Sequence, residues 1–244
     1  MELGYRIIRP QDVGTQRLLF AQISLWRSAN WGVAEGEQAV TEAIEIASAC
    51  KERGIRTVFH PLEYPLANEH ADHTMGIMRR LAAASDLGII IHDEGGSLGK
   101  RLSLAEEALF EKNLAEISTL CHVSIENSFN SHDITRFWEW FVVPAPKTVS
   151  ITVDIGHLEA ADIDAIAFVR DLPQRLAERV NFAHMHHKVT ERNGIKDHWP
   201  LVAGCREIDA LKELLKRRPD VRVVLELDAA GDGMGQSIEL LKDL

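Results

Sequence analysis

Cysteine is scarce in this chain: Cys50, Cys121 and Cys205 are the only three, they lie far apart, and none stands in a C-x-x-C pair. That excludes a disulfide framework and a thiolate zinc cluster, and it fits a reducing compartment. Positive charge is short as well. Lys and Arg number 27 against 37 Asp and Glu, a net charge of −10 at pH 7. An acidic field works against attraction to phosphate backbones, so no nucleic-acid partner is expected. No apolar run is long enough to cross a bilayer, and the opening MELGYRIIRP lacks the apolar stretch and cleavage pattern of a leader. The expectation is a cytoplasmic protein with no membrane partner. Also missing are G-x-G-x-x-G after the first strand and any GxxxxGK[ST], which removes the usual dinucleotide and P-loop readings. No Pro/Gly/Ser-rich linker divides the chain, so residues 1–244 read as one domain.

What is present is alternation. Hydrophobic residues make up 45% and charged residues 26%, the balance of a compact fold. Short apolar runs recur at 3–8, 56–60, 87–92, 122–127, 149–154, 179–184 and 222–227, with LLFAQIS at 18–24 as an ambiguous eighth element. Near-continuous apolar runs suit parallel strands covered on both faces. Helical stripes lie between them. EGEQAVTEAIEIASACKERG closes on Gly54, Ser103 and Glu106 form a capping-box pattern ahead of an apolar stripe, and EIDALKELLKRRPD ends in basic residues before Pro219. The pattern predicts an α/β fold, a (β/α)8 TIM barrel with room for one irregular strand-helix unit.

The informative feature is how each apolar run closes. In order they close on His60, on His92, on Glu126, on Asp154 with His157 just beyond, and on His184, and the last run holds Glu226. In a parallel barrel these C-terminal strand ends converge on one mouth. Glu126 and Glu226 would be buried charges, tolerated only when paired, protonated or coordinated to a cation. Asp154 and His157 in VDIGHLEA could both face the cavity from a tight turn, with Gly156 allowing the bend, while Asp162 suits helix capping better than Asp154 does. Two glutamates, an aspartate and a histidine form a hard ligand set for one divalent ion, Mn²⁺, Mg²⁺ or Co²⁺ at least as well as Zn²⁺. NFAHMHHK gathers three imidazoles in four positions, His184 with two more. In extended chain His184 and His186 share a side and His187 takes the other. That assigns His184 to the ion, His186 to a substrate contact or a supporting role, and His187 to the outside or a loop partner.

Together SIEN, VDIGH, FAHMHH with DHWPLVAGCREID, and VLELD resemble the xylose-isomerase-like TIM-barrel superfamily over roughly His60 to Glu226. The resemblance implies that Glu126, Asp154, His184 and Glu226 hold the family's single divalent ion and that His157 contacts substrate. DHWPLVAG resembles the family's His-x-Pro-Leu-Gly-x-Gly turn, with His198 in the histidine position and Val202 where a glycine is usual. His187 stands where the family has an acidic residue. The resemblance implies a metal-dependent isomerase or epimerase of a sugar-like, polyhydroxylated carbonyl compound. Glu126 and Glu226 would pass a proton through an enediolate, and His157, His186, His198, His60 and His92 would line the substrate. Endonuclease IV, in the same superfamily, offers a rival: a multi-zinc phosphodiester hydrolase recruiting His60 and His92. Against it stand the acidic charge and the adjacent Asp197 and His198, where that enzyme has Asp-x-His. A third reading is a sugar-binding member that has lost its chemistry.

Three stretches stay outside this scheme. LWRSANW at 25–31 places Trp26 and Trp31 in a loop or short helix after the first strand, as a sugar floor or core packing. RFWEWF at 136–141 reads as a barrel-covering helix or a contact between copies in a homo-oligomer. Lys100 and Arg101 follow a glycine-bearing loop that could accept a phosphate or simply be solvated.

Overall fold

The computed structural model describes residues 1–27, 36–94, 101–128, 133–191, 194–228 and 232–244, with backbone alone for 190–191, 194–196 and 232. The chain opens with strand β1 (Glu2–Ile7) and a 3-10 turn (Pro10–Asp12), then β2 (Phe20–Trp26) and helix α1 (Gly36–Glu52). Next come β3 (Arg56–Leu62), α2 (Ala71–Ala84), β4 (Ile89–His92), α3 (Leu104–Ser118), β5 (Val123–Glu126), α4 (Ile134–Phe141) and β6 (Val149–Asp154). Three short helices follow, α5 (Ile155–Ala160), α6 (Ala165–Asp171) and α7 (Gln174–Ala177), and lead into β7 (Val180–Met185). A hairpin, β8 (His187–Glu191) and β9 (Gly194–Trp199), precedes α8 (Arg206–Arg217), β10 (Arg222–Leu225) and α9 (Asp232–Leu241).

Eight of these strands pair in parallel and close into a barrel, with β1 bonded to β2 on one side and β10 on the other. This is the (β/α)8 barrel that the alternation predicts. The ambiguous segment at 18–24 is strand β2. The irregular unit is the first: between β1 and β2 the described connection holds only the 3-10 turn and no helix. Trp26 is the last residue of β2 and is buried, which corrects its expected loop position. Trp31, Lys100 and the glycine loop lie outside the described residues.

Period-2 alternation builds both faces of each strand. One face, including Ile23, Phe59, Ile91, Ile125, Val153 and Val223, packs into the large core beneath the helices. The other carries a small separate cluster of Phe20, Val58, Ile90, Phe182 and Val224, which plugs the barrel interior. Gly4 completes that layer by absence, since a Cβ there would sit 2.4 Å from the Phe20 ring. Two residues further along each strand the inward positions turn polar. Val58 is followed by His60, Ile90 by His92, Phe182 by His184 and Val224 by Glu226. Ser124 and Thr152, hydrogen-bonded to each other at 2.7 Å, are followed by Glu126 and Asp154. The apolar plug is thus the floor of the site.

Local signals behave physically. Ser103 Oγ accepts the Glu106 N–H at 3.4 Å while Glu106 accepts the Ser103 N–H at 2.7 Å, the reciprocal cap that starts α3. RFWEWF is a barrel-covering helix: Trp138 is fully buried and donates from Nε1 to Ile125 O at 3.1 Å, while Trp140 lies half-exposed under Arg136.

Candidate metal centre

Every strand-end residue singled out in the sequence reaches one cavity. Glu126 lies at its centre, fully buried. Its Oε1 sits 3.0 Å from His184 Nδ1 and 3.7 Å from His157 Nδ1, and its Oε2 sits 3.2 Å from His60 Nε2 and 3.6 Å from His92 Nε2. His184 Nδ1 in turn lies 3.7 Å from Asp154 Oδ2 and 3.6 Å from Glu226 Oε2. A divalent ion bonded at about 2.1 Å sets neighbouring ligand atoms roughly 3.0 Å apart in octahedral and 3.4 Å in tetrahedral geometry. The spacings around His184 Nδ1 match that shell.

One pair is satisfied, His184 Nδ1 with Glu126 Oε1 at 3.0 Å, but the atoms around it are not. Glu126 Oε2, Asp154 Oδ2 and His92 Nε2 are buried without a hydrogen bond among the described residues. Polar atoms so placed are costly unless something unites them, which a shared cation would do. The donor chemistry, carboxylates with imidazoles, suits a divalent cation. The ligand atoms fall into overlapping groups, one of which joins Asp154 to Glu126 and His157. His60 joins Glu126, His184 and Glu226 in one set of ligand atoms within 4.8 Å of one another, and His157, His186 and His198 form another.

Electrostatics give the same picture. Burial, beside Glu226 and Asp154, pushes the Glu126 carboxyl far above the usual carboxylate range despite the His184 imidazole. Burial also raises Asp154 and Glu226, but imidazoles overcome it. His157 and His186 hold Asp154 well below its ordinary value; His184 and His198, with Arg6, do so for Glu226. His184 is raised well above an ordinary histidine because Glu126 and Glu226 outweigh its burial. Burial drives His60 down to about 4 and His92 well below 6.5. Neutral imidazoles are the form that binds metals, and His60 Nδ1 is engaged with Ile90 O at 3.1 Å, leaving Nε2 aimed at Glu126. Three carboxylates cannot all ionise in this cavity without a cation.

Two expectations are corrected. Asp154 does cap a helix: its Oδ1 accepts the His157 N–H at 2.6 Å and starts α5, whereas the cap of α6 is Asp164 and Asp162 caps nothing. One carboxylate therefore offers Oδ1 to the helix and Oδ2 to the cavity. Gly156 is not there to bend the chain. It lies within α5, and a Cβ would fall 2.3 Å from the His186 ring, so glycine admits the imidazole.

The mouth is roofed by the β8–β9 hairpin. His198 stacks on His186 with ring centroids 4.3 Å apart and planes at 15°, donates its N–H to His186 Nδ1 at 3.0 Å, and pairs with Asp197 at 2.9 Å. His198 has φ +56°, a left-handed conformation uncommon for a histidine and consistent with a position held for its side chain. Val202, where the resembling family has glycine, has no such φ; the left-handed residue of this turn is Gly204 at +77°. His187 pairs with Glu207, a residue of helix α8 rather than of a loop.

Three site residues escaped sequence reading. Gln22 donates to Glu226 Oε1 and lies on the strand whose identity was ambiguous; its place two residues after inward Phe20 is the signal that would have found it. Arg6 stands likewise after Gly4 and is paired with Asp228. Asn127 clamps the end of β6, accepting the Asp154 N–H at 2.8 Å and donating to Asp154 O at 2.9 Å.

No family model matches the sequence, and no curated protein matches it. Solved structures do. The fold is that of the xylose isomerase-like TIM barrels. A xylose isomerase domain protein from Planctomyces limnophilus superposes with a TM-score of 0.65 over 99% of this chain and 94% of its own, at 12% identity. The IOLI protein with a bound zinc atom does so with 0.62 over 100% and 97%, at 12% identity. An L-ribulose 3-epimerase gives 0.62 over 98% and 86%, at 10% identity. Among the described residues no helix is long and apolar enough to cross a membrane.

Proposed function

We propose that the chain is a divalent-metal-dependent isomerase or epimerase of a small sugar-like carbonyl compound. The observation that carries this reading is the set of three carboxylates, Glu126, Asp154 and Glu226, each with an oxygen within 3.7 Å of His184 Nδ1 above an apolar floor. The neighbours of this fold include a zinc-bearing protein and a sugar epimerase, which supports the substrate class. An ion held there supplies Lewis-acid polarisation of a substrate carbonyl. Glu126 and Glu226, on strands three places apart around the barrel, remove and return the proton at the neighbouring carbon through an enediolate. His157 and His198 hold substrate hydroxyls, and the hairpin excludes water from the exposed intermediate.

The test is exchange of substrate hydrogen with deuterated water across a panel of aldoses and ketoses, free and phosphorylated. Exchange that depends on added Mn²⁺, Co²⁺ or Zn²⁺ and disappears in Glu126→Gln and Glu226→Gln is expected; exchange unchanged in both variants overturns the scheme. A second reading, a multi-zinc phosphodiester hydrolase, is favoured by one observation: His60 and His92 both face the remaining oxygen of Glu126. The number of ions lost when Glu126 is replaced by Ala separates the two readings. One lost ion favours the isomerase, and two or three favour the hydrolase.

A further inference from the structure

Outside the barrel mouth the base of the hairpin meets the start of α8. His187, the first residue of β8, places Nδ1 2.8 Å from Glu207 Oε1. Cys205, the residue that caps α8, completes a group in which one ligand atom of each of the three side chains lies within 4.8 Å of the others. Glu207 is 2% exposed and Cys205 7%, on a helix that also buries Ile208, Leu211 and Leu214 and exposes Lys212 and Lys216. Glu207 Oε2 has no hydrogen bond among the described residues. A buried carboxylate with one oxygen on an imidazole and only a thiol, a weak donor, beside it otherwise is an unfinished arrangement.

We infer that His187, Cys205 and Glu207 form a second metal site, for a borderline-soft divalent ion with zinc foremost, at which the ion fastens the β8–β9 hairpin to helix α8. The donor set is one sulfur, one imidazole nitrogen and one carboxylate oxygen, which favours zinc over the hard ions that suit the mouth. Zinc bonds of about 2.0–2.3 Å place ligand atoms roughly 3.3–3.8 Å apart. The His187–Glu207 pair at 2.8 Å is shorter than that range and opens slightly, and all three ligand atoms already lie within 4.8 Å of one another. On binding, the Cys205 thiol releases its proton to solvent as the zinc–sulfur bond forms. The same three residues do not make a nucleophile. Burial, with the Glu207 carboxylate adding to it, pushes the thiol up to about 11, so a metal-free Cys205 stays protonated. The consequence for the molecule is positional. His187 pairs with Trp199, at the far end of the strand that carries Asp197 and His198 over the mouth, so an ion at its side chain anchors that roof from outside.

Cobalt(II) titration of the full chain distinguishes this site from the mouth, whose ligand groups contain no sulfur. The expected result is a thiolate-to-cobalt charge-transfer band that saturates within two equivalents per chain, and at one equivalent in the Glu126→Gln variant, where the mouth is impaired. It should vanish in Cys205→Ser, weaken in Glu207→Gln and His187→Gln, and survive Cys50→Ala, Cys121→Ala and Glu126→Gln. Amide exchange in β8 and β9 should slow at least tenfold on zinc addition in the Glu126→Gln background, where the mouth is impaired. Absence of the band with cobalt in excess, or its persistence in Cys205→Ser, overturns the inference and leaves the trio a hydrogen-bonded pin. Because Glu126→Gln is one arm, failure of the proposed catalysis and failure of this site are read separately.

Discussion

Gly156 and Gly76 offer the same substitution with opposite expected signs. Both are helical, in α5 and α2, and alanine at an ordinary helical position gains up to about 1 kcal/mol over glycine. At Gly76 an added Cβ meets nothing within 4 Å, so Gly76→Ala should raise the stability by that amount, a Tm increase of about 2–4 °C for a chain of this size. At Gly156 the Cβ would fall 2.3 Å from His186 Cε1 and 2.4 Å from both ring nitrogens, whereas ordinary contact begins at 3.4 Å. The ring must recede by roughly 1 Å. It is fully buried, stacked on His198, bonded to the His198 amide, and 3.2 Å from Asp154 Oδ1. Overpacking of this kind costs about 1–3 kcal/mol, and a strained hydrogen bond adds about 1 kcal/mol. After the propensity gain, Gly156→Ala should lose about 1–3 kcal/mol, seen in urea unfolding of the EDTA-treated protein as a lower midpoint at unchanged slope. A Gly156→Ala variant as stable as Gly76→Ala would refute the claim that glycine stands here to admit His186.

Three further outcomes are expected. Gln22→Leu removes a buried donor to Glu226 and should cost about 1–3 kcal/mol in urea unfolding of the metal-free protein at pH 7. The pair of His198, raised to about 9 mainly by Asp197 against its burial, and Asp197, lowered to about 2 by His198, stabilises the metal-free hairpin fully between about pH 4 and 6.5. That stabilisation is lost as pH rises through 9; it is at most about 3 kcal/mol, nearer 1–2 because Asp197 is one-third exposed, and amide exchange of β9 from pH 6 to 9.5, corrected for intrinsic rates, measures it. Asp154→Asn keeps a cap that Asp154→Ala loses, so in EDTA the Asn variant should be about 1 kcal/mol more stable than the Ala variant, while added Mn²⁺ or Zn²⁺ should raise the Tm of neither as it does the parent.

The barrel was legible because its signal is repeated. Eight apolar runs at strand length, each buried on both faces, leave few architectures, and a misjudged boundary at one run is outvoted by the other seven. The mouth was legible for a related reason. A carboxylate such as Glu126, two residues past Ser124 on an inward face, cannot be reconciled with an apolar strand, so the residue advertises a role whatever the fold. Gln22 and Arg6 were not legible, because a neutral amide or a long cation near a strand end is unremarkable until its register is known. Asp154 shows how two correct local rules compete. Asp is both a good cap and a good ligand, and only coordinates reveal that its two oxygens divide the work. Gly156 shows the converse: the residue was noticed, but its reason lies in His186, thirty positions later, which chain-local reasoning does not reach.

The hairpin carries this argument to its end. Apart from the Asn193-Gly194 dipeptide, a turn signal, little in 187–199 advertises a strand pair, since its charged sequence lacks the alternation that marks a strand packed on a core. Its order comes instead from side chains at its two ends: His198 stacked on His186 inside the mouth, and His187 bonded to Glu207 outside. An element held by polar contacts rather than apolar burial is marginal by itself and responsive to whatever binds those contacts. Cations at the mouth and at Cys205 would therefore act on one structure from both sides. With either removed, the roof should open before the barrel unfolds, giving an early, metal-sensitive phase in amide exchange confined to β8 and β9, while β3 to β7 exchange only with global unfolding.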